Sequence, residues 1–186
     1  HEHGAVGHIP FILYHPHFGH GQRRQQLVQL VDIYPTVLGI LNRPCPPDRH
    51  GIDLLPVLRD ERAATRDYAV CGMFGRSVTI TDGRWILHQS PVPDNQPLYW
   101  YGYAGARFYY QLGGHEPGGR RRVIGFPSWE TPTWLSDKLS DPNETVNLAG
   151  AAPAKVMELQ LALKRKLRDL QAPKEQLLRL GLTELQ

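Results

Sequence analysis

At 186 residues the chain suits one domain, or one large piece of a bigger domain. Apolar residues make up 41% and charged residues 21%, an ordinary balance for a soluble globular protein, and the formal charge of +3 is too small to point to nucleic acid. A basic cleft for an anionic ester fits the same charge. No apolar run approaches the roughly 20 residues of a membrane span and no signal peptide is visible, so neither a nucleic acid nor a membrane is expected as a partner. The chain opens at His1 rather than Met, so the true N-terminus, with any localisation signal, is expected elsewhere. Two cysteines, Cys45 and Cys71, make no disulfide framework and are expected as free thiols, the state of a bacterial cytoplasm.

Ile9 to Tyr14 (IPFILY) is a short apolar run closed by His15-Pro16. It reads as a strand of a parallel sheet covered on both faces, which implies more sheet than this sequence supplies. His17 to Arg24 is a Gly-rich polar loop. Asp32 to Leu41 reads as a helix, capped by Asp32, with Pro35 in its first turn and Val37, Leu38 and Leu41 on one apolar face. Leu54 to Leu58 is a short apolar segment. Ala69 to Met73 and Ser77 to Thr81 are strand-like, and Asp82-Gly83 turns the second into Arg84 to His88 as a hairpin. Residues 90 to 130 are irregular and rich in Tyr, Trp, Gly and Pro. Thr133 to Leu139 reads as a further strand, Asp141 to Glu144 as a turn. Pro153 to Leu170 is the clearest helix, with Val156, Leu159, Leu163, Leu167 and Leu170 in one stripe and Lys164, Arg165, Lys166 and Arg168 gathered near its C-terminus. The tail from Pro173 reads as a short helix.

Several ordered motifs carry a family resemblance. Ile9-Pro10-Phe11-Ile12-Leu13 is the first. Leu27 to Leu38 (LVQLVDIYPTVL) follows, and then Gly51 to Leu58 (GIDLLPVL) at the right distance. Asp141 to Ala149 (DPNETVNLA) precedes the long helix. In this order they resemble the C-terminal half of sulfatases, in the alkaline phosphatase superfamily. The resemblance implies an α/β class: the C-terminal part of an alkaline-phosphatase-like sandwich in residues 1–60, then a small antiparallel-sheet subdomain with a C-terminal helix in residues 61–186.

It also implies chemistry. Sulfate ester cleavage needs charge stabilised on a departing oxyanion, and the family supplies a divalent metal (Ca, Mg or Mn) together with a formylglycine nucleophile made from Cys or Ser. The nucleophile motif and metal ligands lie N-terminal to the residues matched here, so no metal ligand is assigned and the chain alone is expected to be inactive. His1-Glu2-His3-Gly4 is similar to the segment after the family's metal motif, which places His3 and His8 at the active-site edge as candidate catalytic residues. The family has about ten more residues before its strand than stand between Gly7 and Ile9, so a gap between Gly7 and His8 is expected. A small anionic ester is the implied substrate. The alternatives are a phosphonate or phosphodiester hydrolase of the same superfamily, and a non-catalytic pseudo-sulfatase or interaction module.

Other motifs read as structural. Cys45-Pro46-Pro47-Asp48-Arg49 matches Cys-x-Pro-x-Arg but falls where the family has a linker. His15, His17 and His20 have metal-like content without rigid elements to hold them. Asn143-Glu144-Thr145 is a glycosylation sequon that the turn already explains, and Arg120 to Arg122 reads as a solvated charge run. The aromatic insert from Pro91 to Trp129 is long for a structureless loop and is expected to be a substrate-pocket wall or a homo-oligomer contact.

Overall fold

The structure, a computed structural model, describes residues 9–18, 21–72, 76–93, 95, 99–101, 120–122 and 131–185. Most of the aromatic insert lies outside them. Within it, β4 (Tyr99–Tyr101) and β5 (Arg120–Arg122) form an antiparallel ladder that pairs Trp100 with Arg121.

The N-terminal part is held together by one carboxylate. A 3₁₀ turn, Leu30–Asp32, leads into α1 (Ile33–Ile40), and α2 (Leu55–Arg59) follows a loop. Asp32 does not cap α1. Its backbone is already helical and its side chain is fully buried. There it accepts the Gln29 N–H (2.7 Å) and the Ile52 N–H (3.0 Å), and it pairs with the buried Arg66 guanidinium. One turn on, the Thr36 hydroxyl donates to the Asp32 carbonyl and accepts the Leu54 N–H (3.0 Å). The loop therefore runs hard against α1. A Cβ on Gly51 would lie 2.0 Å from the Val31 carbonyl oxygen, so only glycine fits there. The expected apolar face of α1 is not the buried one: Pro35 and Thr36 are buried, while Val37 and Leu41 are exposed. Polar anchors, rather than apolar periodicity, decide which way this short helix faces.

Ile9 to Tyr14 is not a strand here. It joins no strand ladder among the described residues, and Ile12 is 91% and Tyr14 75% exposed. A strand needs a neighbour to take its N–H and C=O groups, and an apolar composition does not supply one.

The C-terminal part is a four-stranded antiparallel sheet in the order β1-β2-β3-β6, with β1 at Ala69–Gly72, β2 at Val78–Thr81, β3 at Trp85–Gln89 and β6 at Trp134–Asp137. Asp82 closes the hairpin by accepting the Arg84 and Trp85 N–H groups, while Gly83 takes φ +96°. Residues paired across antiparallel strands share a face. Val70, Ile80, Leu87 and Leu135 form one row; Cys71, Thr79, His88 and Trp134 form the next, on the other face. The first row meets α3 (Pro153–Asp169) through Leu159, Ala162, Leu163 and Leu167. Beyond α4 (Lys174–Arg179), Leu180 and Leu182 close the same core. The buried Gln89 amide is satisfied by the Leu180 carbonyl and by Gln160. Lys164 is not part of a solvated basic end: it is buried, and its ammonium donates to the Thr183 and Leu185 carbonyls.

The DPNETVNLA segment packs beside β6. Asn147 accepts the Leu135 N–H (3.1 Å) and donates to the Thr133 carbonyl (3.0 Å), and the Leu148 N–H reaches the Leu135 carbonyl (2.8 Å). On β1, the Gln29 side-chain amide donates to the Val70 carbonyl (2.7 Å). Glu144 takes φ +54° and is buried, with its carboxylate between His88 Nε2 (3.2 Å) and Lys138 Nζ (3.0 Å). His88 Nδ1 lies 2.7 Å from the Thr79 hydroxyl, so a ring protonated on Nε2 satisfies both neighbours. Arg84 bonds Asp137 through two nitrogens, at 3.0 and 2.8 Å.

Two outcomes are expected. Removing one partner of a buried pair strands the other, so Arg66→Gln should lower unfolding free energy by about 3–5 kcal/mol in urea titration; a change within error would show that the pair organises nothing. The second concerns acid. The hydrogen-bonded Arg84 guanidinium holds the Asp137 carboxyl down at about 2, below its ordinary 3.8. The Val146 N–H likewise lowers Asp141. A depressed carboxylate stabilises the fold above its unfolded value, and that contribution disappears as pH falls through the folded value. Thermal midpoints should drop between about pH 4 and pH 2, and Asp137→Asn should flatten that limb. An unchanged limb in the variant would assign the acid loss elsewhere.

Candidate functional site

His3 and His8 lie outside the described residues, as does the Gly7–His8 junction. Among the described residues no group of three His, Cys, Asp or Glu side chains converges to hold a metal ion, and no helix is long and apolar enough to cross a membrane. Cys45 and Cys71 are free thiols. Cys45 sits in the exposed loop between α1 and α2, and Arg49 of the same motif lies against its own neighbours, 3.7 Å from Asp48 and 5.8 Å from the Tyr34 ring centre. In the sequon, the Thr145 hydroxyl is bonded to Asp141 within the turn.

His15 and His17 do come to a site, though without a third metal-type ligand. The turn His15-Pro16-His17-Phe18 is closed by the Phe18 N–H on the His15 carbonyl (3.1 Å). The His17 N–H donates to His15 Nδ1 (3.2 Å), and the His15 ring stands 4.9 Å from that of Phe18, centre to centre. In a neutral His15 ring this arrangement puts the proton on Nε2 and leaves Nε2–H as a donor. His20 lies outside the described residues.

The turn forms one wall of an open cleft of about 610 Å³. α1 contributes Gly39 and Ile40 to it, Asn42 follows, and α2 contributes Leu55, Leu58 and Arg59. Arg24 enters from the loop between the turn and α1, where its Nε donates to the Val57 carbonyl (3.0 Å) and a terminal nitrogen bonds Gln22. No described group engages the Arg59 guanidinium. The wall carries two guanidiniums and two imidazoles and no carboxylate. Asp60 and Glu61 belong to a shallower neighbouring hollow that shares Gln22, Arg24 and Arg59. The cleft exists because the Asp32 and Thr36 bonds press the 51–54 loop, and α2 behind it, against α1.

Sequence reasoning singled out His15 and His17 but missed their partners. Arg24 and Arg59 stand 35 positions apart and belong to no motif. It also missed the buried His88 and Glu144 and the partly exposed Lys138 that joins them; their only signal was a glutamate inside a turn motif.

No family model matches the chain. It is 28% identical to arylsulfatase K of Xenopus laevis over 161 residues, 84% of this chain and 25% of that protein. It is 42% identical to arylsulfatase K of Canis lupus familiaris over 53 residues, 28% of this chain and 10% of that one. The chain therefore spans about a quarter or less of the length of these relatives. Among solved structures it resembles a 4S-sulf chain from work on glycosaminoglycan metabolism by Bacteroides thetaiotaomicron. The TM-score is 0.53 at 18% identity, over 81% of this chain and 28% of that one. The chain is therefore similar in sequence to arylsulfatases over most of its length and similar in fold to part of a solved 4S-sulf chain.

Proposed function

We propose that this chain is the C-terminal portion of a metal-dependent sulfatase, a sulfuric ester hydrolase, and that the nucleophile and metal ligands lie outside its described residues. The observation that carries the reading, beside the homology, is where apolar surface is left uncovered. Ten of the fifteen exposed large apolar side chains among the described residues fall between Ile9 and Leu41. The C-terminal sheet, by contrast, has a closed core under α3 and α4. A concentration of this kind marks an interface, and an apolar run of strand composition outside every ladder of the described residues suits a place in a larger sheet. The N-terminal part is thus built to dock against further α/β structure.

The family's divalent metal does not fit the described residues, because no three suitable ligands converge there. No catalytic step is assigned to them. Their role is to complete the sandwich and to hold the wall beside the reaction centre, with a small anionic ester as substrate. A cytoplasmic location belongs to the same proposal.

The test compares this chain with a polypeptide that also carries the nucleophile motif and acidic metal ligands. The longer protein is expected to release sulfate from 4-nitrophenyl sulfate and to lose that activity with EDTA; this chain alone is expected to release none. Sulfate release by this chain alone would overturn the partition, and hydrolysis of a phosphonate ester in place of the sulfate would overturn the sulfuric ester assignment. A second experiment probes the docking. Ile12→Asp should leave the thermal midpoint of this chain within about 1 °C, since surface changes away from packing sites are nearly neutral. The same change should destabilise the longer protein by several kcal/mol, as for an unpaired charge buried in a sheet. Equal effects in both would show that Ile12 is not buried by docking.

A further inference from the structure

We propose that the cleft between the His15–Phe18 turn, α1 and α2, together with the hollow beside it, docks a short extended segment of a separate polypeptide, one carrying acids, an apolar residue and a base in that order. The first observation is the charge pattern along the groove. The cleft presents Arg24 and Arg59 with two imidazoles and no carboxylate. The adjoining hollow, of about 470 Å³, shares Gln22, Arg24 and Arg59 with it and adds Arg23 and the acids Asp60 and Glu61. One end is thus purely cationic and the other also bears acids. A continuous polyanion would meet Asp60 and Glu61 with like charge. A polypeptide can set carboxylates at the first end and an ammonium at the second, which makes the two surfaces complementary.

The second is how the cations are held. Arg24 spends its Nε on the Val57 carbonyl and one terminal nitrogen on Gln22, both uncharged, so its position is fixed while its charge is not neutralised. Arg59 engages no described partner. A cation fixed by neutral acceptors keeps its attraction for an incoming carboxylate, whereas one already paired does not. Asp53 lies close behind Gly39 but bonds the Leu55 N–H and does not line the cleft.

The third is the remaining wall. Gln22 gives its carbonyl oxygen to Arg24, but no described group engages its amide nitrogen, and none engages the side-chain amide of Asn42. Both amides line the cleft. A side-chain amide donates and accepts as a peptide group does, so the pair suits a backbone laid along the groove. Ile40, Leu55 and Leu58 stand beside them and receive one apolar side chain. The wall also sets the kind of partner. Permanent interfaces are depleted of charge at their centre, and exposed apolar side chains such as Ile12, Val31 and Val37 supply surface of that sort. Guanidiniums, imidazoles and amides suit a partner that associates reversibly. Docking here uses no nucleophile and no metal, so the inference stands apart from the hydrolase reading.

Fluorescence anisotropy of this chain tests it with four labelled probes. The first is a short Gly/Ser-based peptide carrying two glutamates, a leucine and a lysine in that order. The second has glutamines for the glutamates, the third a glutamate for the lysine, and the fourth is a single-stranded oligothymidylate. The first peptide is expected to bind saturably, one per chain. The glutamine peptide and the oligothymidylate should not bind, and the all-acid peptide should bind about threefold more weakly, the scale of one exposed charge contact. Arg59→Gln should weaken the first peptide about tenfold, the loss of one charge-assisted contact. Asp60→Asn with Glu61→Gln should remove the preference for the lysine peptide over the all-acid one. Arg59 is exposed and holds nothing in the fold, so its variant should keep the thermal midpoint within about 1 °C. No binding of the first peptide, equal binding of its glutamine form, oligothymidylate bound as tightly, or unchanged affinity in Arg59→Gln would each overturn the proposal. Sulfate release by the longer protein is read separately, so the loss of this docking site leaves the hydrolase reading intact.

Discussion

The buried Asp32 carboxylate is the constraint on which the N-terminal half depends. It accepts from the chain just before α1, from the loop before α2, and from Arg66 beyond α2, so one side chain registers three segments. Buried ion pairs contribute little net stability against an apolar alternative, but losing one partner is costly. The consequence is specificity of arrangement rather than depth of stability. With Asp32 and Thr36 satisfied, the 51–54 loop can approach α1 only where glycine permits, at Gly39 and Gly51. The cleft with Arg24 and Arg59 is the space left beside that close packing.

The C-terminal half is organised by a different force. One face of its sheet is closed by leucines of α3 and of the segment after α4, and burial of apolar surface drives that closure. The other face is polar along the Thr79–His88 row, and the DPNETVNLA segment lays Glu144 onto it. Each half thus places its charges differently: the first buries an acid and base pair as a framework, while the second buries a linked histidine and glutamate beneath a loop, with the partly exposed Lys138 as their outer partner.

What could be read from the sequence was whatever depends on near neighbours. The Asp82-Gly83 hairpin and the α3 stripe came out within a residue or two, because turn chemistry and helical periodicity are local. The short α4 was anticipated in the same way. Asp32 was taken for a cap because the sequence shows a short acid ahead of a helix, whereas its true partner, Arg66, is 34 positions away. Lys164 looked like a helix-end cation until the tail folded back onto it. The apolar character of Ile9 to Tyr14 was read correctly, but strand state is a property of a pair of segments. The site was least legible of all. His15 and His17 were visible as a cluster, yet the guanidiniums that give the cleft its charge arrive from a loop and a helix that only the Asp32 framework brings together.

The side-chain amides at the two outer strands bear on how this sheet behaves among other proteins. Gln29 occupies a carbonyl of β1, and Asn147 takes up backbone groups beside β6 from the opposite flank. Those groups are the ones an extended foreign segment would use to add itself to the sheet. With them occupied by short amides that cannot propagate a ladder, the sheet ends where it is, and self-association by strand addition is disfavoured at both flanks. An antiparallel sheet capped in this way is a poor template for extended chains in a crowded solution, its own exposed apolar Ile9 to Tyr14 segment among them.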